Sequence, residues 1–260
     1  MQNLYHYRKY IWQNALQDLR HRYAGSALGA VWNLLLPLAQ ILIYALIFSQ
    51  IMTVRGQSGR GSYAFVLYLC CGLFPWFTFA NAVTRGSMAI YTNARYITRF
   101  PIPEEIFVAK LVLAETFILM IYLALLVMIG PFLGQPWGWS NVLLPLVGVL
   151  FQALGFGLAL LLASFVVFFQ DLSQVFGIIM RMWMWLTPVV YIEAILSERV
   201  LSLLRWNPAY FFIKSFRDLF LFNQIPPWNA WATMMVWVTG FVFLSAWVLQ
   251  LTRPKLRDLL

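Results

Sequence analysis

Between residues 28 and 52 the chain carries no charged side chain. About 20 helical residues, rising 1.5 Å each, cross a hydrocarbon core ~30 Å thick. The run is therefore long enough to span a bilayer. Five more predominantly apolar runs follow, at residues 63–83, 106–132, 142–169, 172–192 and 228–251. The expectation is an all-α integral membrane protein with six transmembrane helices, in one transmembrane domain over residues 1–260.

Composition agrees. The sequence is 62% hydrophobic and only 10% charged, with a mean hydropathy of +0.75. A soluble domain carries about a quarter charged residues, so no separate soluble domain is expected. A net charge of +9 would point to nucleic acid in a soluble protein. Here it reflects inward-facing basic segments and contact with anionic membrane lipids, and no nucleic-acid partner is expected. The stretch before Gly25 is too polar and aromatic for a cleavable signal peptide. Cys70 and Cys71 are adjacent within a run. Neighbours on a helix point apart, which argues against a disulfide or metal site and for packing.

Outside the spans, residues 4–20 place Leu4, Ile11, Ala15, Leu16 and Leu19 on one side and Arg8, Lys9, Gln13 and Gln17 elsewhere. This predicts an interfacial amphipathic helix. Residues 84–105 form a polar connection broken by Pro101 and Pro103. Gly148, Gly155, Ala159 and Ala163 share a face of the fourth run, which favours close helix packing. Residues 193–227 mix charges with aromatics and contain no run long enough to span, so re-entrant helical pieces on the outer side are expected. With both termini inside, inner segments hold ten Lys and Arg (residues 8, 9, 20, 22, 85, 95, 99, 253, 255 and 257). Outer segments hold six (residues 55, 60, 199, 205, 214 and 217). That excess fits the positive-inside rule.

The chain lacks a G-x-x-x-x-G-K-[ST] phosphate loop and an H-E-x-x-H motif. Its two histidines, His6 and His21, both lie near the N-terminus. No catalytic site, metal site or cofactor is expected in this chain. Lys110, Glu115 and Arg181 are the only ionisable groups well inside the expected spans, too few for a proton relay. The energy source must then sit on a partner. The best docking candidate is the inward segment 84–105, through a short helix carrying Ser87, Met88, Tyr91, Asn93 and Arg95. The competing reading of that segment is a solvated loop.

Several motifs, in order along the chain, resemble one family. They are Gly29-x-x-Trp32-x-x-x-x-Pro37-Leu38 preceded by Arg22-Tyr23, then Ile41-Leu42-Ile43-Tyr44-Ala45-Leu46. Gln170-Asp171-Leu172-Ser173-Gln174-Val175, Leu186-Thr187-Pro188-Val189-Val190-Tyr191 and Trp206-Asn207-Pro208 follow. Together they are similar to the permease subunits of ABC polysaccharide exporters, closest to the lipopolysaccharide O-antigen branch, with teichoic acid and capsule exporters as relatives. The resemblance implies a homodimer in the bacterial inner membrane, both termini cytoplasmic. It implies two copies of a separate nucleotide-binding subunit that holds ATP and Mg, and an undecaprenyl-pyrophosphate-linked polysaccharide as cargo. It further implies that the N-terminal helix is a cytosolic gate, the loop after span two a coupling helix, and residues 193–227 a pair of periplasmic re-entrant helices.

A sliding glycan is best gripped by aromatics and scattered hydrogen bonders. Asn33, Gln40, Tyr44 and Phe48 in span one fit a conduit face, as do Gln174, Gly177, Arg181, Trp185 and Pro188 in span five. The competing reading is that these aromatics fill helix interfaces. A lipid pyrophosphate needs cations at the cytoplasmic interface, and Arg gives bidentate contacts. Arg20, Arg22 and Arg95 are the candidates, with Arg99 next. Glu115 and Arg181 fall at similar depth, about 14 Å in by helical rise, and are expected to pair, within one subunit or across a dimer. Arg181 facing a wet conduit is the alternative. Two other functions stay open: a membrane enzyme acting on lipid-linked sugars, and an ABC exporter of drugs or small lipids.

Overall fold

The computed structural model describes residues 2–22, 25–26, 28–54, 60–193 and 196–259. Tyr23 of the first motif, Arg55 with the rest of residues 55–59, and the side chain of Phe48 lie outside the described residues.

Helices and turns make up the described residues, with no strand among them. The N-terminal segment forms α1 (Gln2–His6) and α2 (Arg8–His21). Four long helices carry the apolar runs: α4 (Arg60–Ser87), α7 (Glu105–Ile129), α8 (Leu144–Val166) and α12 (Trp228–Leu259). Each has a stretch long and apolar enough to cross a membrane, at Tyr63–Ser87, Glu105–Leu133, Trp139–Val166 and Trp228–Leu256. The other two expected spans differ. Helix α3 (Trp32–Val54) has the length, and its described apolar stretch is Trp32–Tyr44. Helix α9 (Leu172–Trp185) has only 14 residues, about 21 Å, so it is short of the 172–192 expected. Pro188 lacks an N–H and cannot continue the helix hydrogen-bond ladder.

Helix α4 is central, packed against α3, α7, α8 and α9, and α12 closes the outside of α8. The small face of α8 works as its sequence suggests. Gly155 lies against Phe79 and Ala82 of α4, and Gly148 against Leu119 and Met120 of α7. Gly134 closes the α7–α8 turn at φ +88°, a left-handed conformation that costs glycine little.

Between α9 and α12 lie α10 (Glu198–Leu204) and α11 (Tyr210–Phe220). Helix α11 is not a surface piece. Phe212, Phe216 and Phe220 are fully buried, and Phe151 of α8 stacks between Phe79 and Phe212 at ring distances of 4.3 and 5.0 Å. Arg217 is buried with them. It donates to the carbonyls of Pro188 (2.6 Å) and Val189 (2.7 Å) and lies 3.6 Å over the Tyr68 ring. Asn207 links the same region: its amide donates to Thr187 Oγ1 at 2.8 Å and its oxygen accepts from the Trp183 indole at 2.9 Å. The carbonyls freed where α9 stops are thus satisfied by α11 and the turn before it.

The connection expected over 84–105 begins as the last turn of α4. It continues as α5 (Ala89–Thr92) and α6 (Ala94–Arg99). Its far end is anchored: Glu104 and Glu105 both pair with Arg253 of α12, at 2.9 and 2.8 Å.

Candidate functional site

Helix α2 packs its apolar side on α7. Ile11 and Ala15 are buried, and Trp12 meets the Phe117 ring edge-on at 4.8 Å. The other side of α2 faces the ends of α4 and α5. Four charges meet there. Arg85 Nη2 donates to both oxygens of Asp18 at 2.9 Å, and Arg85 Nη1 to Glu115 Oε1 at 2.9 Å. Arg22 also donates to Glu115 Oε1. Glu115 has no exposed side-chain surface. The low dielectric there makes two cationic partners worth having.

Beside this network is a cavity of about 700 Å³ lined by α2 (Asn14, Gln17, Asp18, His21), the end of α4 (Thr84, Arg85), Met88, Thr92, Asn93, and Lys110 and Leu111 of α7. Nine of these eleven side chains are polar or charged, in a chain that is 62% hydrophobic. A second groove of about 420 Å³ lies between α4 and α9, lined by Trp76, Phe77, Asn81, Thr84, Gly177 and Arg181 among others. Thr84 borders both spaces. A hydrogen-bonding vestibule and a groove with aromatic walls therefore share one lining residue.

The expected pairing of Glu115 with Arg181 is not made within the chain. Glu115 is taken by Arg22 and Arg85, whereas Arg181 lies exposed on α9 and borders the α4–α9 groove. The reason is packing: α9 rests on α4 and α8, while Glu115 of α7 is met from the sides of α2 and α4. The three arginines expected at a pyrophosphate are not gathered either. Arg22 is committed to Glu115, and Arg20 and Arg95 are exposed on α2 and α6 without bordering the cavity. Of the docking residues, Tyr91 and Arg95 are exposed, Met88 and Asn93 half-buried, and Ser87 is buried with its hydroxyl on the Thr84 carbonyl at 2.8 Å. On the expected conduit faces, Asn33 and Pro188 are buried. Gln40, Tyr44 and Gly177 are half-buried, and Gln174, Arg181 and Trp185 exposed.

Asp18, Arg85 and Lys110 complete a site that the sequence reading assembled only in part. Asp18 and Arg85 are 67 residues apart, and Arg22 and Glu115 93, so no local spacing announces them. The available signal was an acid placed mid-span with an excess of arginine in the adjoining inner segments.

The sequence signature described as "ABC-2 type transporter" matches residues 9–221. The chain belongs to the ABC-2 transporter family. Its relatives include two proteins named "O-antigen export system permease protein RfbA". The one from Myxococcus xanthus is 28% identical over 253 residues, covering 94% of this chain and 95% of the relative. One from Klebsiella pneumoniae is 26% identical over 230 residues, covering 87% and 84%. "Polysialic acid transport protein KpsM" from Escherichia coli is 26% identical over 205 residues, covering 78% of each. The match to an ABC-2 transporter runs through α2, the cavity, the groove and α11, so these features lie within the family domain. The chain is accordingly a multi-pass membrane protein of that transporter family.

Proposed function

We propose that this ABC-2 permease moves an undecaprenyl-pyrophosphate-linked polysaccharide of the O-antigen class across the bacterial inner membrane. It works as a homodimer driven by two copies of a separate ATPase subunit that holds ATP and Mg. The observation that carries this reading is a pair of spaces that share Thr84 as a lining residue: a polar vestibule, and a groove with Trp76, Phe77, Asn81 and Arg181. A small apolar cargo would need neither. A hydrated glycan needs hydrogen bonders and aromatic faces, with few charges to hold it back.

In this reading the termini are cytoplasmic, α5 and α6 dock the ATPase through Tyr91 and Arg95, and α10 with α11 forms the outer re-entrant pair. The half-exposed face of α3 (Gln40, Tyr44) and the exposed face of α9 (Gln174, Arg181, Trp185) border the conduit. A capsule-type polysaccharide is the second cargo class, favoured by the likeness to KpsM. Deleting the gene is expected to leave lipid-linked polymer inside the cell and strip it from the surface, with the wild-type chain restoring export. Normal surface polysaccharide in the deletion strain would overturn the proposal. Turnover of lipid-linked sugar by the purified chain alone would favour an enzyme instead.

A further inference from the structure

The charges around the vestibule do not cancel. Asp18 and Glu115 are matched by Arg85 and Arg22, two acids against two arginines. Lys110 is left over. Among the described residues its polar contact is a long one, 3.4 Å to Asn93 Oδ1, and its ammonium lies 5.1 Å from the Phe107 ring centroid. The acid that acts on it electrostatically, Asp18, has both oxygens on Arg85. His21 lines the same wall with only a 3.4 Å contact to Gln17. A half-buried ammonium with no ion partner, in a roomy polar cavity, is an anion site in waiting.

The position selects the anion. Lys110 lies five residues beyond Glu105, where α7 begins, about 7.5 Å along the axis by helical rise. That is one to two turns into the span from the side of the arginine-rich segments, within reach of a lipid headgroup. The volume, about 700 Å³, is in the ~300–1,000 Å³ range of small-molecule sites and exceeds what a phosphate group alone would need. Asn14, Gln17, Thr92 and Asn93 supply donors and acceptors suited to sugar hydroxyls.

We infer that Lys110, assisted by His21, seats the diphosphate of a lipid-linked glycan in the vestibule beneath α2. The Asp18–Arg85–Glu115–Arg22 network holds the walls in place and contributes no net charge. This rests on the export reading above, and it assigns the lipid phosphate to a lysine inside the cavity rather than to the exposed Arg20 and Arg95.

The test is calorimetric titration of the full chain in zwitterionic nanodiscs. The probes are farnesyl diphosphate, uncharged farnesol and inorganic pyrophosphate. Lys110→Gln should weaken farnesyl diphosphate at least about tenfold, the scale of one charge-assisted contact, and leave farnesol unchanged. Lys110→Arg should keep binding within about threefold on the same scale. Lys9→Gln, which removes an exposed cation of α2, should change nothing. Wild-type-like binding by Lys110→Gln sinks the seat, and equal loss in Lys9→Gln assigns the effect to diffuse surface charge. Pyrophosphate binding as tightly as farnesyl diphosphate would make this a free-anion site and overturn the lipid assignment. If the seat fails while the wild-type chain still restores export to the deletion strain, the export reading survives alone. If the wild-type chain does not restore export, that reading falls whatever Lys110 binds.

Discussion

Glu115 sits in the body of α7 with no exposed side-chain surface, and two arginines reach it from separate elements. Removing one member of such a cluster leaves uncompensated buried charge, a loss of about 3–5 kcal/mol. Glu115→Ala should therefore lower the thermal midpoint of the purified chain sharply. Adding Arg22→Met should recover part of the loss, because the stranded cation goes with it, whereas Arg85 keeps Asp18. A double variant no more stable than the single one would count against the network as the cause. The sequence marks Glu115 as a charge within a span and in need of a partner. It could not place the partner, because Arg22 and Arg85 read equally well as orientation signals in inner segments. Only the packing of α2 and α4 against α7 turns them inward.

At the level of elements, close helix approach decides what a side chain can do. A Cβ on Gly157 would lie 2.9 Å from both Phe241 C and Val242 N of α12. Backbone atoms cannot swing aside as a flexible side chain would. Gly157→Ala should destabilise by about 1–3 kcal/mol, more than the ~1 kcal/mol that alanine gains over glycine in helix propensity. Gly240 of α12 has nothing within 4 Å, so Gly240→Ala should be neutral or slightly stabilising. Thermal unfolding of the two variants side by side checks both, and equal effects would refute the packing argument. The Gly148, Gly155, Ala159 and Ala163 face was legible as a small stripe. Gly157 was not, since it lies off that stripe and its neighbour is more than eighty residues away. The outer segment follows the same pattern. Thr187 and Asn207 were visible as parts of two separate motifs, and their hydrogen bond explains why both are present. Arg217→Met should cost about 2–3 kcal/mol through the two carbonyls it leaves unpaired, read as a lower unfolding midpoint. An unchanged midpoint would show that water replaces the guanidinium.

For the whole molecule, long apolar runs announced the four full-length helices because hydropathy needs no knowledge of contacts. Helix α9 was overestimated for the same reason: the apolar run continues past Trp185 while the helix stops before Pro188. That shortfall has a consequence for assembly. Fourteen residues reach about 21 Å, short of the ~30 Å core. Gln174 and Arg181 are exposed on this helix. An arginine facing lipid at depth costs about 2.5–3.5 kcal/mol on insertion scales. The apolar Val175, Ile178, Ile179 and Met182 are exposed on the same helix. A face that mixes Arg and Gln with apolar residues is poorly matched to lipid and well matched to a second copy enclosing a wet conduit. Cysteines placed singly at Val175 and Ile178 should then form disulfide-linked dimers in membranes under mild oxidation. Cysteine at Val236 of α12, an exposed position on the peripheral helix, should not. The two native cysteines are buried and should stay silent in this assay. Crosslinking through Val236 in place of the α9 positions would move the dimer interface to α12 and leave the α9 face to lipid.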